Sequence, residues 1–271
     1  MHRRIGFTLI EMLVVISVIV ILIGILMPSL NSAKGKARAV ICQNYLHQWG
    51  VLFNVIANEN NGQLVDRDDW GQFCRTQQFS YYIDTFHYPT FCPSAKKKGS
   101  TTGVGSTTLA WYCSNHTTRT GSYGLNGYSP AYNKFGRSMF TGFNPDQSQN
   151  SATQGWKNVN QKGTNNIPLM MDCALWAGFP KATDAPPNSK DQTTSQAFVT
   201  SGSNGMASFS INRHSGGINS LFMDSSVRKV GIKELWTLKW SSDFNIQGPW
   251  TKANGVKPES WPQWMRNFKD Y

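Results

Sequence analysis

Residues 7–30 read FTLIEMLVVISVIVILIGILMPSL, and this stretch decides the architecture. Within residues 7–27 only Thr8, Glu11, Ser17 and Gly24 are not apolar. As a helix, such a segment spans about 31 Å, enough to cross the hydrocarbon core of a bilayer. It is longer than the apolar stretch of an ordinary secretory signal, and no small-residue cleavage site follows it directly. The basic hexapeptide MHRRIG precedes it. Glu11 is the anomaly, because a carboxylate in a membrane helix costs on the order of 3 kcal/mol and so calls for a partner.

Downstream, Pro28 lacks a backbone N–H and is expected to kink, loosen or stop the helix. Beyond it, Leu30, Ala33, Ala37, Ile41, Tyr45, Leu46, Trp49, Leu52, Phe53 and Ile56 recur at spacings of three and four. They form an apolar stripe that should pack on the body of the same chain. Gly35 and Gly50 weaken this helix by about 1 kcal/mol each relative to Ala. The run Asn58-Glu59-Asn60-Asn61-Gly62 is a stop signal.

The remaining body is polar but rich in aromatics. Across all 271 residues, charged residues are only 15% and aromatics 13%, a balance opposite to that of disordered chains. Gly, Ser, Thr and Asn dominate residues 99–130 and 141–166, which reads as loop-rich β structure. Strands are expected at 106–112, 167–173, 206–212, 217–223 and 226–230, a long loop at 184–205, and a short helix within 231–240. The net charge is +11, with no long basic run, so it favours acidic partners without choosing among lipid, glycan and nucleic acid.

The five cysteines, Cys42, Cys74, Cys92, Cys113 and Cys173, contain no CxxC pair, so spacing supports neither a zinc nor a thioredoxin-type site. In an exported body one or two disulfides are expected, and the pairing stays open. Cys42, on the helix, is expected to be buried as a small apolar residue. No nucleophile sits in a recognisable elbow and no second carboxylate is placed for acid–base work, so no catalytic residues are assigned and the chain is not expected to be an enzyme.

The residues Gly6-Phe7-Thr8-Leu9-Ile10-Glu11, after a basic leader and before an unbroken apolar run, resemble the cleavage and methylation signal of type IV prepilins and type II secretion pseudopilins. The resemblance implies that a prepilin peptidase cuts between Gly6 and Phe7 and methylates the new amino group of Phe7. It implies that Glu11 pairs with the charged N-terminus of a neighbouring subunit, and that Pro28 marks where the helix bends or melts on assembly. It also settles an orientation that the flanking charges leave nearly tied: a single-pass protein of the bacterial inner membrane, with its head in the periplasm or outside. The implied fold is α+β and pilin-like, a long N-terminal transmembrane spine helix packed on a mainly antiparallel β-sheet head. Its parts would be a leader at 1–6, an assembly helix at 7–27, an amphipathic spine at 28–61 and a β-rich head at 62–271. The implied partners are the peptidase, other pseudopilin subunits and the inner membrane.

Shorter pieces resemble the same group. Phe91-Cys92-Pro93-Ser94 and Ser122-Tyr123-Gly124-Leu125-Asn126 are two of them, and Cys92 and Cys113, which both precede the second, are the favoured disulfide. Arg213–Asp224, RHSGGINSLFMD, is similar to a motif of His, nine residues, then Asp-Gly, with Ser225 where Gly is usual. His214, Gly217 and Asp224 are read as a structural turn, His214 bonding a backbone carbonyl or the Asp, and Asp224 capping the turn ahead of a returning strand. No cofactor is expected. Calcium, which secretion pseudopilins can carry, is the lesser possibility, since it wants six to eight oxygens and acids are sparse here.

Two functions follow from these features. One is a structural subunit, minor or specialised, of a type II secretion or type IV pilus-like filament. The other is a membrane- or filament-displayed binding module for acidic glycan or DNA, motivated by the charge and by Trp250, Trp261 and Trp264 in a tail that either packs over the sheet or forms a stacking platform for sugar rings or another subunit. The charge falls by two, to +9, once Arg3 and Arg4 leave with the leader.

Overall fold

The computed structural model describes residues 8–63, 65–66, 89–96, 103–113, 119–129, 131–132, 155–156, 158–175, 177–189 and 204–271. One helix, α1 (Leu9–Glu59), forms the spine. Thr8 caps it: the Thr8 hydroxyl accepts from the Glu11 N–H at 3.3 Å, and the Glu11 carboxylate accepts from the Thr8 N–H at 2.8 Å. This reciprocal capping box satisfies amides that the first turn leaves unpaired. The helix runs through Pro28 without a break, although that residue has no N–H to offer the carbonyl of Gly24.

Burial divides α1 in two. From Leu9 to Met27 the large apolar side chains are all exposed. Leu30 and Ile41 are exposed as well, so the upper part of the expected stripe does not reach the head. Packing starts at Cys42 and continues through Leu46, Trp49, Gly50, Leu52, Phe53, Ile56 and Ala57.

The head is built on a five-stranded sheet made of β4 (Tyr123–Asn126), β6 (Pro168–Asp172), β7 (Ala177–Gly178), β8 (Gly217–Phe222) and β9 (Val227–Gly231). Its order is β7-β4-β6-β8-β9, antiparallel except for the parallel β4–β7 edge. Minor pairs are β1 (Val65–Asp66) with β5 (Ala131–Tyr132), and β2 (Trp111–Cys113) with β3 (Arg119–Gly121). The sheet is covered on both faces. On one, Tyr123, Leu125, Leu169, Met170 and Leu221 pack with α1. On the other, Met171, Ile218, Phe222 and Val230 pack with a C-terminal layer of short 3-10 turns that includes Trp236, Trp240 and Trp261. A bulge between Pro168 and Met170 breaks the alternation of β6, which is how neighbouring Leu169 and Met170 both join the helix-side core.

The expected strands at 167–173, 217–223 and 226–230 correspond to β6, β8 and β9, and the end of 106–112 to β2. Residues 206–212 are not a strand: Gly205–Ser208 is a 3-10 turn capped by the Asn204 side chain, which accepts from the Ala207 N–H. Met206, Phe209 and Ile211 are buried there all the same, so apolar content read as a strand belongs to a core-filling turn. The short helix expected after β9 is a 3-10 turn, Lys233–Thr237. Most of the expected 184–205 loop lies outside the described residues.

Gly50 lies tight against the sheet. A Cβ there would stand 2.8 Å from Leu221 Cδ1. The glycine that weakens the helix locally is thus what lets it approach β8. Gly50→Leu is expected to cost about 1–3 kcal/mol through overpacking, read as a lower denaturant midpoint by Trp fluorescence. A Gly50→Leu chain as stable as the parent would show that α1 does not sit this close.

Candidate functional site

The spine meets the sheet at a buried polar centre. Asp172, at the end of β6, has a side chain with no exposure, as does Arg213, just ahead of β8. Arg213 Nη1 donates to Asp172 Oδ1 at 3.0 Å and to the Ser122 carbonyl at 2.7 Å. Its other nitrogens reach the carbonyls of Ser106 (2.8 Å), Thr107 (3.3 Å) and Leu109 (3.4 Å). The second carboxylate oxygen, Asp172 Oδ2, accepts from the Asn219 N–H at 2.9 Å and lies 3.0 Å from His214 Nε2.

His214 Nε2 is also 3.3 Å from Cys92 Sγ. Cys42, from α1, completes the group: its Sγ is 3.6 Å from Asp172 Oδ2 and accepts from the Tyr123 hydroxyl at 3.3 Å. One donor atom each from Cys42, Cys92, Asp172 and His214 fits within 4.8 Å of the others, and all four residues are buried. These four residues could hold a metal.

Local chemistry sets each side chain. Cys92 sits in the Cys-Pro-Ser turn, where its N–H donates to Ser122 Oγ at 2.6 Å and its Sγ accepts from the Ser94 N–H at 3.4 Å. His214 opens a tight turn in which Ser215 and Gly216 take positive φ of 51° and 89°, and its N–H donates to the Gly217 carbonyl at 2.9 Å. Gly217 is required for close strand pairing, since a Cβ there would run into the Val230 carbonyl oxygen.

The charges interlock. The hydrogen bond from Cys42, helped by His214, lowers the Cys92 thiol to about 6 against its burial. Burial is the main cause that pushes the Cys42 thiol up. Burial alone would lower His214, but hydrogen bonds to Asp172 and Cys92 raise it to about 9. Burial alone would raise Asp172, but the His214 bond and the Arg213 charge bring it to about 2. These shifts run in the direction that sets opposite charges beside one another, as buried charges need.

The sequence-derived candidates fall unevenly around this centre. His214 belongs to it, but its carboxylate partner is Asp172, from a different strand, and not Asp224. Asp224 lies in the β8–β9 turn, where its carboxylate accepts from the Ser226 N–H at 2.9 Å. Ser225, standing where the motif has Gly, takes a positive φ of 65°, and its hydroxyl accepts from Asn54 Nδ2 of the spine at 2.7 Å. Cys92 is a free thiol facing His214, so the favoured pairing with Cys113 is not formed; Cys42 and Cys173 are free as well. Cys42 is buried as expected, though as a polar member of the centre. Glu11 and Pro28 are on the exposed arm of α1, and Gly6 and Phe7 lie outside the described residues.

The tail tryptophans serve the core. Trp261 is buried, edge-on to Trp236 with ring centres 5.3 Å apart and tilted against Trp250 at 5.5 Å. Trp264 Nε1 donates to the Pro187 carbonyl at 2.8 Å. Trp250 and Trp264 keep only part of their rings at the surface.

Asp172, Arg213 and Cys92 were not assigned site roles from the sequence. The signal for Asp172 was there: an acid following Met170-Met171 in an apolar strand must be buried, and a buried acid needs a cation.

Residues 1–27 match a family model described as the prokaryotic N-terminal methylation motif. With the exposed apolar arm of α1 and the α+β head, this supports a type IV prepilin-like chain; among the described residues one helix is long and apolar enough to cross a membrane. No curated protein and no solved structure matches the chain.

Proposed function

We propose that the chain is a minor or specialised subunit of a type II secretion or type IV pilus-like filament, cleaved between Gly6 and Phe7 by a prepilin peptidase and assembled through α1. The observation that carries this is the helix itself. Its first half begins in the methylation motif and exposes apolar side chains from Leu9 to Met27, while its second half is built into the head. A water-exposed surface of that size needs lipid before assembly and neighbouring helices after it. The head, placed outside the inner membrane, supplies the displayed surface. A binding module for acidic glycan or DNA has as its support the net charge of +9 that remains of +11 once Arg3 and Arg4 leave with the leader, and it would act from the same filament.

Intact-mass measurement of the mature protein tests the reading. Loss of Met1–Gly6 together with addition of one methyl group on Phe7 is expected. An unprocessed N-terminus, or cleavage beyond Met27, would overturn it.

A further inference from the structure

We propose that Cys42, Cys92, Asp172 and His214 bind one zinc ion, in a closed four-ligand site that clamps the spine helix to the head. The proposal concerns the head–spine junction and holds whether or not the filament reading does.

The geometry fits a tetrahedral site. Zinc bond lengths of about 2.3 Å to sulfur and 2.0–2.2 Å to nitrogen and oxygen imply ligand–ligand separations of about 3.3–3.8 Å. The observed separations are 3.0 Å from His214 Nε2 to Asp172 Oδ2, 3.3 Å from His214 Nε2 to Cys92 Sγ and 3.6 Å from Cys42 Sγ to Asp172 Oδ2. All donor atoms lie within 4.8 Å of one another, so closing the widest separations by about 1 Å seats an ion. Two sulfurs, one imidazole and a single carboxylate suit zinc and not calcium or magnesium, which require oxygen.

Charge and the surrounding hydrogen bonds agree. With both cysteines as thiolates and Asp172 ionised, three negative charges meet the two of the ion and the one of Arg213, and the buried centre is neutral. Each anionic ligand already has an orienting donor: Tyr123 on Cys42, the Ser94 N–H on Cys92, and Arg213 with the Asn219 N–H on Asp172. Such supporting bonds characterise metal ligands. Four ligands leave no open position, so the ion is structural. The ligands come from α1, the Cys-Pro-Ser turn, β6 and the turn before β8, so one ion would tie together four distant segments. A Cys42–Cys92 disulfide would use only the sulfurs and would leave the convergence of His214 and Asp172 on the same point without a purpose.

The test uses the full-length protein in detergent. Elemental analysis after dialysis is expected to give about one zinc per chain. Cobalt substitution is expected to give thiolate-to-cobalt absorption and the intense visible bands of a tetrahedral site. His214→Ala and Cys92→Ser are expected to lose the ion, while Cys173→Ser and Asp224→Asn retain it. If the ligand variants do not fold, native mass and thermal midpoint of the parent before and after chelation supply the second measurement, with a lower midpoint expected on zinc removal. Reduced protein that takes up no zinc from excess, or a Cys42–Cys92 disulfide found by alkylation and peptide mapping of metal-free parent protein, would overturn the proposal.

Discussion

A Glu11→Ala chain is expected to insert in the membrane, to be processed, and to fail to assemble. Insertion should improve slightly, because the substitution removes the one charge from the apolar arm, worth on the order of 3 kcal/mol at the bilayer centre and less near the interface. Assembly should be lost because the amino group of Phe7 would enter the filament without its counter-charge. Leaving one member of a buried pair uncompensated costs about 3–5 kcal/mol, and the cost recurs at every subunit added. In the single chain the Glu11 carboxylate accepts from the Thr8 N–H and hydroxyl, both at 2.8 Å, so it is already held at the start of α1 where a new N-terminus would meet it. Membrane fractionation beside a sheared-filament assay separates the two effects. Normal filaments from the Glu11→Ala chain would remove the charge-pairing role.

Arg213→Met is expected to be the most destabilising single change in the head. It strips the carboxylate of Asp172 of the guanidinium, leaving it His214 alone as a cation, and leaves the carbonyls of Ser106, Thr107, Leu109 and Ser122 without that donor. Breaking a buried pair costs about 3–5 kcal/mol, and unsatisfied buried acceptors add to it. Against the roughly 5–15 kcal/mol that holds a domain together, much of the population should unfold. Arg213→Lys keeps the charge but not the planar fork of five donors, so it should fall between parent and Arg213→Met. Denaturant unfolding followed by Trp fluorescence reads the order. Equal midpoints for parent and Arg213→Met would show that the guanidinium does not hold these segments together.

Interaction patterns that repeat along the chain were legible early. The apolar run before Met27 and the three-and-four spacing around Trp49 specify a long helix, because each depends only on neighbours in sequence. Strands β6, β8 and β9 were visible for the same reason, and the Asp224 turn could be read from its own residues. What misled was apolar content without a clear period: Met206, Phe209 and Ile211 are core residues in either a strand or a turn, and the Asn204 cap decides for the turn. Similarly, the stripe from Leu30 to Ile41 is helical as expected, but burial begins only at Cys42, where β8 comes within reach.

By itself, then, the sequence determined a long apolar N-terminal helix that begins in a methylation motif, and strands in the head, because these rest on a contiguous motif and on patterns local in sequence. Only the tertiary structure decided the polar centre. Cys42, Cys92, Asp172 and His214 are spread over four segments, with no spacing that marks them as a set. The physical reason is that hydrogen bonds and metal coordination act over a few ångströms of space, regardless of sequence separation. The folding of β6 against β8, with α1 laid across them, brings the four together.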